Sequence, residues 1–149
     1  HLGTAQMRSV LFCSFVLSLL TLMGCAKNGP KVVPVSGKVT REGNPYPNVF
    51  LNFEPEKGRP SWAQVDAAGN YTVKYDNTQD GAVTGKHKVW ISYRAKDPRE
   101  EMIEKGFAKG KSSRPKNMGE VLTKFGDRES SPLIIEITKP ETNLEIKLD

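Results

Sequence analysis

Alternation is the feature that most constrains how this chain can fold. From Val33 onward, apolar residues recur at every second position in short runs separated by turn-forming residues. A strand points successive side chains to opposite faces, so a period of two marks half-buried β-strands. The first run is Val33 to Thr40, with Val35, Gly37 and Val39 on one face, closed by the turn Glu42-Gly43-Asn44-Pro45. The second is Asn48 to Glu54, with Val49, Leu51 and Phe53 inward, broken by Pro55 and Gly58-Arg59-Pro60. A weaker run covers Trp62 to Val65. The turn Asp66-Ala67-Ala68-Gly69-Asn70 then leads into Tyr71, Val73 and Tyr75, and Asp76 to Gly85 reads as a polar loop. Lys86 to Tyr93 follows with His87, Val89, Ile91 and Tyr93 inward; Leu133, Ile135 and Ile137, then Leu144, Ile146 and Leu148, complete seven segments. Many short strands between turn signals predict an all-β sandwich or barrel.

Residues 94–131 break the pattern and read as a long, partly helical insertion before the last two strands. Asp97-Pro98-Arg99-Glu100 predicts a helix start, with Asp97 as N-cap, Pro98 at the first position and Glu100 closing a capping box. Met102 and Ile103 are expected to face the domain, and Gly106 to end the helix. Gly119 to Phe125 predicts a second short helix. Between them Lys105, Lys109, Lys111, Arg114 and Lys116 occur without an acidic residue. Such a run suits acidic polymers or anionic lipid headgroups. Its two glycines and two serines equally suit a solvated flexible loop.

The N-terminal region has a different character. Arg8 precedes an apolar run of about 14 residues, Val10 to Met23, interrupted by Ser14, Ser18 and Thr21. That length suits the apolar region of an export signal and falls short of the ~18–20 residues that span a bilayer. Met7 is the expected natural start, with residues 1–6 upstream of it. Leu22-Met23-Gly24-Cys25 resembles the lipobox of bacterial lipoproteins: a Leu three residues before the cysteine and a small residue just before it. The resemblance implies cleavage between Gly24 and Cys25 and lipidation of the Cys25 thiol. Two or three acyl chains hold a protein firmly at a membrane, since each buried methylene contributes ~0.8 kcal/mol. Residues 1–24 are thus expected to be the signal, and 25–32 the lipidated N-terminus and linker.

Removal of residues 1–24 takes one charge, Arg8, and leaves 21 Lys and Arg against 17 Asp and Glu over residues 25–149, a mildly basic mature chain whose domain spans residues 33–149. Cys13 and Cys25 are the two cysteines of the chain. With one in the signal and one lipidated, none remains for a disulfide, a thiolate metal site or a nucleophile. The domain must rely on its apolar core.

Pro34-Val35-Ser36-Gly37-Lys38-Val39-Thr40, Gly43-Asn44-Pro45 and Val49 through Pro55 resemble the opening of carboxypeptidase regulatory-like domains. Asp66-Ala67-Ala68-Gly69-Asn70-Tyr71 and Gly85-Lys86-His87-Lys88-Val89 are similar to later turns and strands of that family. Leu122 to Asp127, followed by Ser131-Pro132-Leu133, is similar to the tail of small lipoproteins abundant in planctomycete bacteria. The resemblance covers nearly all of residues 33–149. It implies a seven-strand transthyretin-like (prealbumin-like) Greek-key β-sandwich, a fold whose regulatory-like members are non-catalytic accessory or binding modules. Hydrolases of the transthyretin-related class use histidines, an arginine and a C-terminal Tyr-Arg-Gly-Ser. Here the mature chain holds one histidine, His87; Tyr93-Arg94 is followed by Ala95-Lys96, and the chain ends Lys147-Leu148-Asp149.

No catalytic set, cofactor or metal site is therefore expected. Asp66, Asp76, Asn77 and Asp80 lie near turns but form no calcium-loop spacing, and Asp66 and Asn70 read as turn formers. The sharper signal is aromatic. If Val49, Leu51, Phe53, Val89 and Ile91 point inward, Phe50 and Trp90 point outward, Trp90 beside Lys88, and Trp62 joins them. These residues form a candidate surface for sugars or a protein partner, unless Met102, Ile103, Phe107 and Phe125 of the insertion fold over it. The expected protein is a lipid-anchored cell-envelope module, with the membrane, envelope proteins or polysaccharides as partners and no nucleic acid.

Overall fold

The computed structural model describes residues 30–149. The expected cleavage and lipidation positions, Gly24 and Cys25, lie outside the described residues. The alternating runs become strands: β1 (Val32–Val33), β2 (Val35–Arg41), β3 (Asn44–Pro45), β4 (Phe50–Pro55), β5 (Ser61–Gln64), β6 (Asn70–Thr72), β7 (Ala82–Val83), β8 (Gly85–Ser92), β9 (Leu133–Ile137) and β10 (Glu141–Lys147). Two helices, α1 (Pro98–Glu104) and α2 (Met118–Phe125), occupy the insertion.

One four-stranded sheet runs β5-β4-β8-β9, antiparallel throughout. The other centres on β2, which pairs antiparallel with β3 and β6 on one side and parallel with β10 on the other. Backbone bonds between Trp62 and Lys74 stitch the two sheets together along one edge, at 3.0 and 2.7 Å. Inward residues of both sheets form a single core that includes Val35, Val39, Leu51, Phe53, Ile91 and Ile146. The result is a mostly β, sandwich-like domain. Among the described residues no helix is long and apolar enough to cross a membrane.

Ten strands appear where seven segments are read, because β1, β3 and β7 are two-residue pairings too short to show a period. Two boundaries shift in consequence. The linker is shorter than expected, since Val32 already pairs with Val83. The stretch read as a polar loop, Asp76 to Gly85, contains Ala82 and Val83, which are buried against β1.

The insertion is ordered by named bonds. Asp97 caps α1 by accepting the Glu100 N–H at 2.8 Å, and Pro98 opens the helix. Glu100 does not close the box on Asp97; its carboxylate accepts the Lys96 N–H at 2.6 Å and the N–H of Ser113 across the loop. Gly106 has φ +78° and donates to Ile103 O while Phe107 donates to Met102 O, the paired bonds of a Schellman stop. In α2, Met118, Val121 and Phe125 share one helical face and enter the common core.

Candidate functional site

The site is built on the outer face of the β5-β4-β8 strands. Leu51 and Phe53 fill the core, so Phe50, Asn52 and Glu54 point outward by the strand's period of two. Register does the rest. Asn52 lies opposite Trp62 of β5 on one side and opposite Trp90 of β8 on the other, giving the row Trp62–Asn52–Trp90. Gln64, Phe50 and Ser92 form the next row. Both tryptophans of the chain therefore stand on one face, each partly exposed.

Phe50 does not serve as the exposed contact expected of it. Its exposure is 6%, because the Trp62 ring stacks on it at 5.6 Å with planes 11° apart. The Arg94 guanidinium lies over the same ring at 4.1 Å. Arg94 follows Ser92 by two residues and so falls on this face, where its planar cation is attracted to the π-cloud. Phe50 thus becomes the base that orients Trp62 and Arg94. Lys88 is also diverted: its Nζ donates to the Glu129 carbonyl at 2.7 Å and holds the turn at residues 127–131.

A groove of about 260 Å³ lies over this face, lined by Phe50, Asn52, Glu54, Pro60, Trp62 and Arg94 among others. Asn52 Nδ2 is committed to the Trp90 carbonyl at 3.3 Å and Ser92 Oγ at 3.1 Å, which leaves its Oδ1 as an acceptor. The Glu54 carboxylate has only long contacts, to Trp90 Nε1 at 3.5 Å and Arg128 Nη2 at 3.4 Å. The groove thus offers the Trp62 ring, acceptor oxygens from Asn52 and Glu54, and the Arg94 guanidinium as donor.

The insertion does not close this face. Phe125 enters the core, whereas Met102 is 45% and Phe107 74% exposed; neither packs over the tryptophans as expected. From the insertion, Arg94 reaches the Phe50 ring and Arg128 reaches Glu54. Asn52, Glu54 and Arg94 went unnoticed in the sequence. The alternation that placed Phe50 outward also places Asn52 and Glu54 beside it, so the signal for those two was present.

His87 is fully buried, and its Nε2 lies 2.7 Å from the Val83 carbonyl, which fixes the proton on that nitrogen. Its ring meets Phe53 edge-on at 6.0 Å. Burial lowers its pKa, with the Val83 bond and Glu136 opposing. Asp66 accepts the N–H groups of Ala68 and Asn70 at 2.9 Å, and Asp76 those of Thr78 and Gln79 at 2.8 Å. Both are turn formers. Among the described residues no group of three or more His, Cys, Asp or Glu is placed to hold a metal ion. No family model, curated protein or solved structure matches the chain.

Proposed function

We propose that the chain is a lipid-anchored cell-envelope protein whose β-sandwich is a non-catalytic binding module of the transthyretin-like, carboxypeptidase regulatory-like kind. Cys25 is the tether and the β5-β4-β8 face is the presenting surface. The observation that carries the reading is the open row Trp62–Asn52–Trp90 beside Glu54 and Arg94. A structural spacer has no need of two partly exposed tryptophans aligned in one row. The buried, bonded state of His87 leaves the transthyretin-related hydrolase reading without a solvent-facing base.

The groove favours carbohydrate as the ligand class. Indole faces take up the C–H faces of pyranose rings, while Asn52 Oδ1 and Glu54 accept from hydroxyls and Arg94 donates to them. Its volume of about 260 Å³ suits one or two sugar residues.

Intrinsic fluorescence reports on this face alone, because the chain has two tryptophans and both are there. Titration with envelope oligosaccharides is expected to give a saturable change. Trp62→Ala, which removes the indole that lines the groove, should weaken binding by roughly ten-fold, as a lost aromatic stack of ~1–1.5 kcal/mol requires. A flat titration across peptidoglycan, lipopolysaccharide-core and teichoic-type fragments contradicts the carbohydrate reading.

A further inference from the structure

The sandwich groove leaves one feature unused: the tip formed by α1 and the loop after it. Residues 94–116 hold eight Lys and Arg against four Asp and Glu, and each of those four acids is already engaged. Asp97 caps α1, and Glu100 accepts backbone N–H groups from Lys96 and Ser113. Glu101 pairs with Lys105 at 2.5 Å and Glu104 with Arg114 at 3.4 Å. Lys96, Arg99, Lys109, Lys111 and Lys116 have no carboxylate within 4.0 Å among the described residues.

Amid these cations sit Met102 and Phe107, two of the three large apolar side chains exposed among the described residues. Their backbones meet, because Phe107 N–H donates to Met102 O at 2.8 Å across the Gly106 stop, which sets both residues at the same end of α1. The loop expected to be flexible is tied down. Ser113 is held by Glu100 and by Asn48 Nδ2 at 3.0 Å, Tyr93 OH reaches Ser112 and Ser113 at 3.3 Å, and Tyr46 OH bonds Lys116 O at 3.2 Å. A single exposed apolar side chain needs no explanation. Two exposed apolar side chains at one helix end, in a basic surround, match what a bilayer interface takes up, with rings entering the headgroup boundary and lysines meeting phosphates.

We propose that this tip docks on an anionic phospholipid surface, with Phe107 and Met102 entering the interface and Lys109 and Lys111 contacting headgroup phosphates. The partner is lipid rather than a soluble polyanion, because a polyanion makes no use of the apolar pair. The inference does not depend on the sugar groove.

The test is co-sedimentation of the full chain, carrying Cys25→Ser to remove acylation, with two vesicle types. One is phosphatidylcholine alone, which sets the baseline due to residues 10–23; the other includes phosphatidylglycerol. Phosphatidylglycerol should strengthen binding in a salt-sensitive manner. Lys109→Gln with Lys111→Gln should remove about 25-fold of that gain, at about five-fold per lysine near an anionic surface. Phe107→Ser should remove roughly ten-fold. Thermal melting should be unchanged in both variants, since these side chains are exposed. A gain from phosphatidylglycerol that neither variant reduces overturns the proposal. So does a gain that Phe107→Ser leaves intact while soluble polyphosphate binds the chain equally well.

Discussion

Tyr71 reaches across Gly37 to Leu144. The three residues are in register, and the Tyr71 hydroxyl donates to the Leu144 carbonyl at 2.8 Å over the position where Gly37 has no side chain. A Cβ on Gly37 would stand 1.9 Å from Leu144 O, so the parallel β2–β10 pairing requires glycine there by space. Gly37→Ala is expected to cost about 3 kcal/mol or prevent folding, and Tyr71→Phe about 1 kcal/mol, read by urea denaturation. Ser61 gives the opposite expectation. Its Oγ is buried without a hydrogen-bond partner, so Ser61→Ala should raise stability by roughly 1 kcal/mol. His87 adds a pH dependence. Its folded pKa lies below the ordinary 6.5, so the folded state binds fewer protons than the unfolded chain. Stability should be full above pH 6.5 and fall as pH drops below it, and His87→Gln should flatten that part of a melting-temperature profile.

At the scale of elements, α1 is short and depends on its cap. Asp97→Ala should destabilise it by ~1 kcal/mol. Glu100, held by the Lys96 and then the Ser113 N–H, has its pKa pulled from 4.5 to about 2. A depressed carboxylate stabilises above its ordinary value, and that contribution is lost as pH falls from 4.5 toward 2. Protection of the Lys96 and Ser113 amides, relative to their intrinsic exchange rates, should fall in that window, whereas Glu100→Gln should lower it and remove its pH dependence. β8 was legible because it buries alternate residues, and α1 because Asp97, Pro98 and Gly106 punctuate it. The pairings β1–β7 and β2–β10 were not. Two-residue strands carry no period, and a parallel partner at the far end of the chain, as Lys147 is for Thr40, leaves no local signal. Glu100 reaches Lys96 instead of Asp97 because its other oxygen is drawn to Ser113, a tertiary contact that capping patterns do not contain.

The whole molecule has two ends. The Lys31 carbonyl accepts the Thr84 N–H at 2.9 Å beside the start of β8, whereas the α1 tip lies beyond its end. Eight strand residues separate them by roughly 26 Å. Cys25→Ser should abolish incorporation of radiolabelled fatty acid and leave the apolar run Val10 to Met23 uncleaved, read as a larger band on a gel. The aromatic face was half legible: alternation placed Phe50 and Trp90 outward. That Arg94 and Trp62 cover Phe50, and that Lys88 turns to Glu129, are consequences of packing that no single segment encodes. The most direct measurement of the central claim is the set of amide and indole N–H resonances during titration with the oligosaccharide that changes tryptophan fluorescence. The two indole signals of Trp62 and Trp90 should shift together with Asn52 and Arg94, while Phe107 and its neighbours stay fixed. Shifts that gather anywhere else on the sandwich, with both indoles unmoved, would contradict it.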